Sequence, residues 1–129
     1  MKLKVFNYVD DLQEAIAFYQ KVFDATIGES YKRKDGTYDL AELRVSRGTS
    51  FWLAERKGDS AIEGDVNTGN IMQLCLLYDK GDETKLICAY EMLKKDALLI
   101  KWELMKAAWT THTCDLIDKY GIRWCLMIG

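Results

Sequence analysis

Apolar and polar positions follow two periods along this chain, and the switch between them occurs twice. "LKVFNYV" alternates in part and is rich in β-forming residues, which predicts a strand over residues 2–9. Asp10 or Asp11 then stands where a helix needs a cap, its carboxylate placed to accept backbone N–H groups. In "DDLQEAIAFYQKVF" the residues Leu12, Ala15, Ile16, Tyr19, Val22 and Phe23 recur at helical spacing, so a helix follows. "ATIGESYKR" and "YDLAELRVSRG" predict two strands around "KDG", where Asp35-Gly36 is a hairpin signal. "TSFWLAER" predicts a further strand.

The polar stretch from Lys57 to Gly69 reads as a linker, and after it the order repeats. "NIMQLCLLYD" predicts a strand, and "DETKLICAYEMLKKD" a helix with Leu86, Ile87, Tyr90 and Leu93 on one face. "ALLIKWELM" is a strand, the stretch carrying Trp109 and His112 a loop, and "GIRWCLMI" the closing strand. In that last strand Ile122, Trp124, Leu126 and Ile128 point one way, and Arg123, Cys125 and Met127 the other. Setting "DLQEAIAFYQKVF" against "DETKLICAYEMLK" aligns Asp11 with Asp82, Ile16 with Ile87 and Tyr19 with Tyr90. The organisation expected is two β-α-β-β-β modules, about 1–57 and 70–129, joined by a linker over about 58–69. Neither half would bury a whole core alone, so a single α+β domain over residues 1–129 is expected.

Composition narrows the function classes. With 49% apolar and 29% charged residues and a net charge of −2, the chain offers no basic face for nucleic acid. No basic amphipathic stretch suits a membrane surface, and no apolar run approaches a span of about 20 residues. "MKLKVFNYVDD" shows no export signal, and the four cysteines are scattered without a CxxC pair, so reduced thiols in a cytoplasm are expected. One histidine and no cysteines at ligand spacing argue against a zinc site. With no proline in the chain, every turn rests on Gly, Asp or Asn.

The strand followed by "YVDDLQEAIAFYQKVFDA", three strands, a repeat and a closing "DKYGIRWCLM" resembles the vicinal oxygen chelate superfamily. That group includes glyoxalase I, bleomycin-resistance proteins and extradiol dioxygenases. Within it, "AIAFYQKVFDA" and "DKYGIRW" are most similar to the PhnB-like, 3-demethylubiquinone-methyltransferase-like branch. The resemblance implies that the modules curl their sheets into a mixed, barrel-like arrangement with a central cleft. It also implies a homodimer. In metal-dependent members four cleft-facing positions supply ligands, on the first and last strands of each module. By spacing they fall on Lys4, Glu55, Gln73 and Cys125, with Met72 or Cys75 as alternatives to Gln73. Metal members present His and Glu there. Lys4 departs decisively, because an ammonium repels a cation and has no lone pair. No divalent metal and no other cofactor is therefore expected. A methyltransferase is not supported, since no glycine-rich cofactor loop follows a strand.

Each candidate has a bland counterpart. Glu55 could act as general acid or base in an enclosed cleft, or simply form an ion pair with Lys4. Cys125 could be a nucleophile with Lys4 nearby, or an inert buried thiol. His112 could serve as acid or base, or lie exposed in its loop. Phe6 and Tyr8 share the strand face of Lys4 and should line the cleft, where aromatic walls suit a flat or amphipathic ligand. "ELMKAAWTTH" could be a lid or a dimer segment. The candidate ligand set is Lys4, Phe6, Gln73 and Cys125, with Glu55 as the candidate catalytic group. Three functions stay open: a module that binds a small aromatic or carbonyl-containing ligand, a lyase, isomerase or dioxygenase-type enzyme using Glu55, and a ligand-free helper domain.

Overall fold

The computed structural model describes residues 2–56 and 72–129, and the expected linker over 58–69 lies outside them. The chain divides into two compact units, Met1–Gly64 and Asp65–Gly129. The first contains β1 (Phe6–Val9), α1 (Leu12–Phe23), β2 (Thr26–Lys32), β3 (Tyr38–Ser46) and β4 (Thr49–Glu55). The second contains β5 (Leu74–Tyr78), α2 (Glu83–Lys94), β6 (Leu99–Ala107), β7 (Thr110–Ile117) and β8 (Arg123–Ile128). Each unit is thus a β-α-β-β-β module, and the protein is α+β. The sheets are open and mixed, ordered β1-β4-β3-β2 and β5-β8-β7-β6. β1 runs parallel to β4 and β5 parallel to β8, while the other pairs are antiparallel. No described helix is long and apolar enough to cross a membrane.

In the first unit Asp11 caps α1, accepting the Glu14 N–H at 3.1 Å. All six apolar residues expected on its inner face are buried: Leu12, Ala15, Ile16, Tyr19, Val22 and Phe23. They pack on β3 and β4, where the Tyr19 and Phe23 rings meet Phe51 edge-on at 5.6 and 6.1 Å. Asp24 in the left-handed region (φ 52°) ends the helix. Gln13 reaches from α1 to the start of β3, donating to the Tyr38 carbonyl and accepting its N–H. At the β2–β3 turn Gly36 takes φ 87°, and Asp35 accepts the Thr37 N–H at 2.9 Å.

The N-terminal strand is shorter than residues 2–9. Pairing starts where the Val5 carbonyl accepts the Trp52 N–H, and Leu3 before it is 91% exposed. In the second unit α2 buries Leu86, Ala89, Tyr90 and Leu93, so Ala89 holds the place expected for Ile87, which stands at the exposed edge. Trp109 and His112 do not share the expected loop. Trp109 sits in a tight turn, and the stretch beginning at Thr110 is a strand. Its threonines are β-branched and favour extended backbone although they are polar. "ELMKAAWTTH" is consequently a strand–turn–strand hairpin.

The closing motif owes its form to Asp118. This fully buried carboxylate accepts the Trp124 indole N–H at 2.8 Å and the backbone N–H groups of Tyr120 and Ile122 at 2.9 and 3.1 Å. Gly121 supplies φ 85° for the turn, and β8 then alternates as expected. Trp124, Leu126 and Ile128 are buried, whereas Arg123, Cys125 and Met127 are half-buried on the other face.

Candidate functional site

Register decides which side chains share a surface. In the first unit Phe51 and Leu53 lie toward α1, so parity sends Trp52 and Ala54 to the helix-free face. Their partners there are Phe6 and Tyr8 on β1 and Glu42 and Leu40 on β3. Phe6 stacks on Trp52 with ring centroids 5.5 Å apart and planes 27° apart. Lys4 extends its ammonium over the same indole, 4.6 Å from the ring centroid, and lies 3.9 Å from a Glu29 carboxylate oxygen. Trp52 is 4% exposed beneath these neighbours, while Phe6 and Tyr8 keep 40% and 44% of their surface accessible.

Glu42 lies next to this stack. Its Oε2 accepts the Glu29 backbone N–H at 3.0 Å and the Arg44 guanidinium at 3.1–3.2 Å. The Glu29 N–H, helped by Ser50 and Arg44, holds the Glu42 carboxyl below the usual range. Gly28 makes the arrangement possible, since a Cβ there would overlap both the carboxylate and the guanidinium.

In the second unit the helix-free face carries Cys75 and Leu77 of β5, Thr113 and Asp115 of β7, and Arg123, Cys125 and Met127 of β8. Arg123 grips Asp115 with two bonds, Nε to Oδ1 at 3.0 Å and Nη2 to Oδ2 at 2.7 Å. Cys75 is registered with Cys125, and the Thr113 hydroxyl lies 3.9 Å from the Cys125 sulfur. Burial, then the neighbouring Cys125, pushes the Cys75 thiol up to about 11. The two sheets match position for position. Phe6 against Trp52 corresponds to Cys75 against Cys125, and Glu42 against Trp52 to Asp115 against Cys125.

The sequence-derived candidates distribute unevenly over these surfaces. Lys4 and Phe6 come together on the first helix-free face, and Cys125 sits centrally on the second. Gln73 is exposed and precedes β5, so its alternative Cys75 is the strand residue beside Cys125. Glu55 is registered with buried Val9 and shares the parity of Phe51 and Leu53, the side opposite Phe6. Its ion-pair partner is Arg33, which also reaches Asp39 at 3.4 Å, and not the expected Lys4. His112 has the parity of Cys114 and Leu116 on β7, with its Nδ1 3.1 Å from the Thr111 hydroxyl. The Glu42–Arg44 and Asp115–Arg123 pairs were not anticipated. The alternation Leu40, Glu42, Arg44 opposite Ala41 and Leu43 signals the first pair, whereas Asp115 falls within the stretch read as a loop.

Solved structures with the same architecture span the whole chain. The PhnB protein from Bacillus cereus superposes with a TM-score of 0.77 at 22% identity, covering 100% of both chains. A glyoxylase/bleomycin resistance protein/dioxygenase domain from Frankia sp. EAN1pec gives 0.70 at 20% identity, over 100% of this chain and 91% of that one. The chain has the glyoxalase/bleomycin resistance protein/dioxygenase fold. The fosfomycin resistance protein FosX from Listeria monocytogenes shares it as well, with a TM-score of 0.66 at 15% identity and coverage of 100% and 93%. No protein-family model matches the chain, and no curated protein sequence matches it.

The side chains at the implied ligand positions do not suit a divalent ion. Such a site needs converging donors with available lone pairs. Lys4 offers an ammonium, Trp52 occupies the β4 position that faces with Phe6, and the Glu42 and Asp115 carboxylates are held by guanidinium groups. Among the described residues no three His, Cys, Asp or Glu side chains stand together in a ligand arrangement.

Proposed function

We propose that this protein binds a small, partly aromatic or carbonyl-containing molecule on the helix-free face of its first sheet, without a divalent metal. The observation that carries this reading is the Phe6–Trp52 stack with the Lys4 ammonium above the indole. An accessible ring edge beside a cation suits a flat ligand that carries a carboxylate or a polarised carbonyl oxygen. Tyr8 extends the aromatic surface on the same strand face. An enzyme using Glu55 as acid or base is the weaker alternative, because that carboxylate lies across the sheet and is engaged by Arg33. The reading includes a cytoplasmic setting, which four unbridged cysteines suit, and a homodimer that covers sheet edges.

A panel of aromatic carboxylates, phenols and 2-oxo acids, with benzoate as reference probe, tests the assignment by tryptophan fluorescence. Binding should occur in the presence of EDTA. Lys4→Met and Phe6→Ala should each weaken it by roughly 5- to 30-fold, the equivalent of about 1–2 kcal/mol for a cation–π or aromatic contact. Binding that requires added divalent metal, or that ignores both substitutions, would overturn the proposal.

A further inference from the structure

The second sheet holds two thiols where the first holds its aromatic stack. Cys75 on β5 and Cys125 on β8 are direct partners in a parallel pair, so both side chains leave the same face side by side. Neighbouring strands lie about 4.8 Å apart, inside the Cα separation of about 4.4–6.8 Å that a disulfide spans without backbone movement. Thr113 approaches the Cys125 sulfur from the opposite strand, at 3.9 Å. As residues, Cys75 is exposed and Cys125 half-buried. The remaining cysteines cannot substitute: Cys114 is buried with the parity of Leu116, and Cys88 lies on α2.

We propose that Cys75 and Cys125 form a reversible redox pair that closes to a cross-strand disulfide when the protein meets a peroxide. The Cys75 sulfur, as its thiolate, attacks one peroxide oxygen. The O–O bond breaks, leaving a sulfenic acid on Cys75 and, after protonation, one water. The Cys125 sulfur then attacks the sulfenic sulfur, forming the S–S bond while the S–O bond breaks. The departing hydroxide takes the Cys125 proton as a second water. Two thiols and one hydrogen peroxide thus give one disulfide and two waters, and an external thiol reverses the change by exchange. Because Cys75 holds its proton up to about 11, the reaction is slow at neutral pH and quickens with alkalinity.

The test uses the full chain carrying Cys88→Ser, treated with hydrogen peroxide and digested without reduction. The expected result is a peptide pair joined through residues 75 and 125, two hydrogens lighter than the thiols, that dithiothreitol returns to the reduced mass. The closure rate should climb severalfold per pH unit between pH 7 and 10. Cys125→Ser should instead accumulate a Cys75 sulfenic acid that dimedone captures. Oxidation of Cys75 straight to sulfinic acid with Cys125 present, cross-links through Cys114, or a pH-independent rate would overturn the proposal.

Discussion

Removing the Asp118 carboxylate should unfold the second unit's closing strand before it harms anything else. Asp118 accepts from the Trp124 indole and from two turn N–H groups, and both it and Trp124 are fully buried. In Asp118→Ala the buried indole N–H loses its carboxylate acceptor, at a cost of about 1–3 kcal/mol. The Tyr120 and Ile122 donors lose a charged acceptor, each bond being worth about 1.5–3 kcal/mol, although water can repair part of this at the half-buried turn. Since these terms overlap, a total near 3–4 kcal/mol is expected, a large share of the roughly 5–15 kcal/mol that holds a domain together. With a urea m-value of about 1.5 kcal/mol/M, the midpoint should fall by about 2 M. Asp118→Asn keeps one acceptor for the turn but can turn an NH2 group toward the indole N–H, so about 1–3 kcal/mol is expected. Urea titration followed by tryptophan fluorescence and far-ultraviolet circular dichroism measures both. A Trp124→Phe background should reduce the cost of Asp118→Ala by about 1–2 kcal/mol. If Asp118→Ala costs under about 1 kcal/mol, or Trp124→Phe changes nothing, the turn does not depend on this carboxylate.

Four other outcomes follow from the same geometry. Glu55→Gln should lower stability by about 1 kcal/mol, as a half-buried ion pair with a partly exposed Arg33 implies, and leave benzoate affinity unchanged; a large affinity loss would restore Glu55 to the site. Elemental analysis of purified protein should find no stoichiometric zinc, nickel, iron or manganese, whereas one equivalent would contradict the donor argument. Light scattering at micromolar concentration should report a dimer, and a monomer would count against the proposed assembly. Urea midpoints should drop as pH rises from about 9 to about 12. Burial raises Cys75 and Cys114 to about 11 and Tyr78 to about 12, so these groups hold protons more tightly when folded. Their contribution is complete below the unfolded values of 9.0 and 10.0 and is lost as pH climbs through the folded ones. A flat profile across that window would show that these side chains are not desolvated.

Period and turn chemistry carried most of the fold. α1 reads off its own spacing because a single helix face meets a single sheet, and β8 reads off strict alternation because one of its faces is fully buried. β7 was illegible for the converse reason. "TTHTCDLI" places threonine, histidine and aspartate along a strand whose polar side chains find local partners, such as Thr110 donating to the Ile128 carbonyl. Hydropathy cannot distinguish that from a loop. Glu55 shows where parity has to be followed to its end. Its place behind Phe51 and Leu53 was visible in the sequence, and that same row assigns it to the face opposite Phe6. The Asp115–Arg123 pair joins residues eight positions apart across the Asp118 turn, and only the register of β7 on β8 reveals it.

Pairing across equivalent positions explains how one architecture accommodates different chemistry in its two units. Each sheet sets a carboxylate of its third strand beside the fourth, and an arginine neutralises it: Arg44 from the same strand in one unit, Arg123 from the next strand in the other. A charge on a half-buried sheet face is costly unless paired, so the guanidinium is a structural requirement wherever the carboxylate remains. The neighbouring position carries no such obligation. An aromatic pair satisfies it by stacking in the first unit and a registered pair of thiols in the second, because neither rings nor thiols demand a charged partner. The proposed ligand recognition in the first unit and the proposed redox closure in the second rest on different residues. Phe6→Ala should leave the Cys75–Cys125 cross-link rate unchanged, and Cys75→Ser should leave benzoate affinity unchanged. A change in either would mean that residues assigned to one role also serve the other.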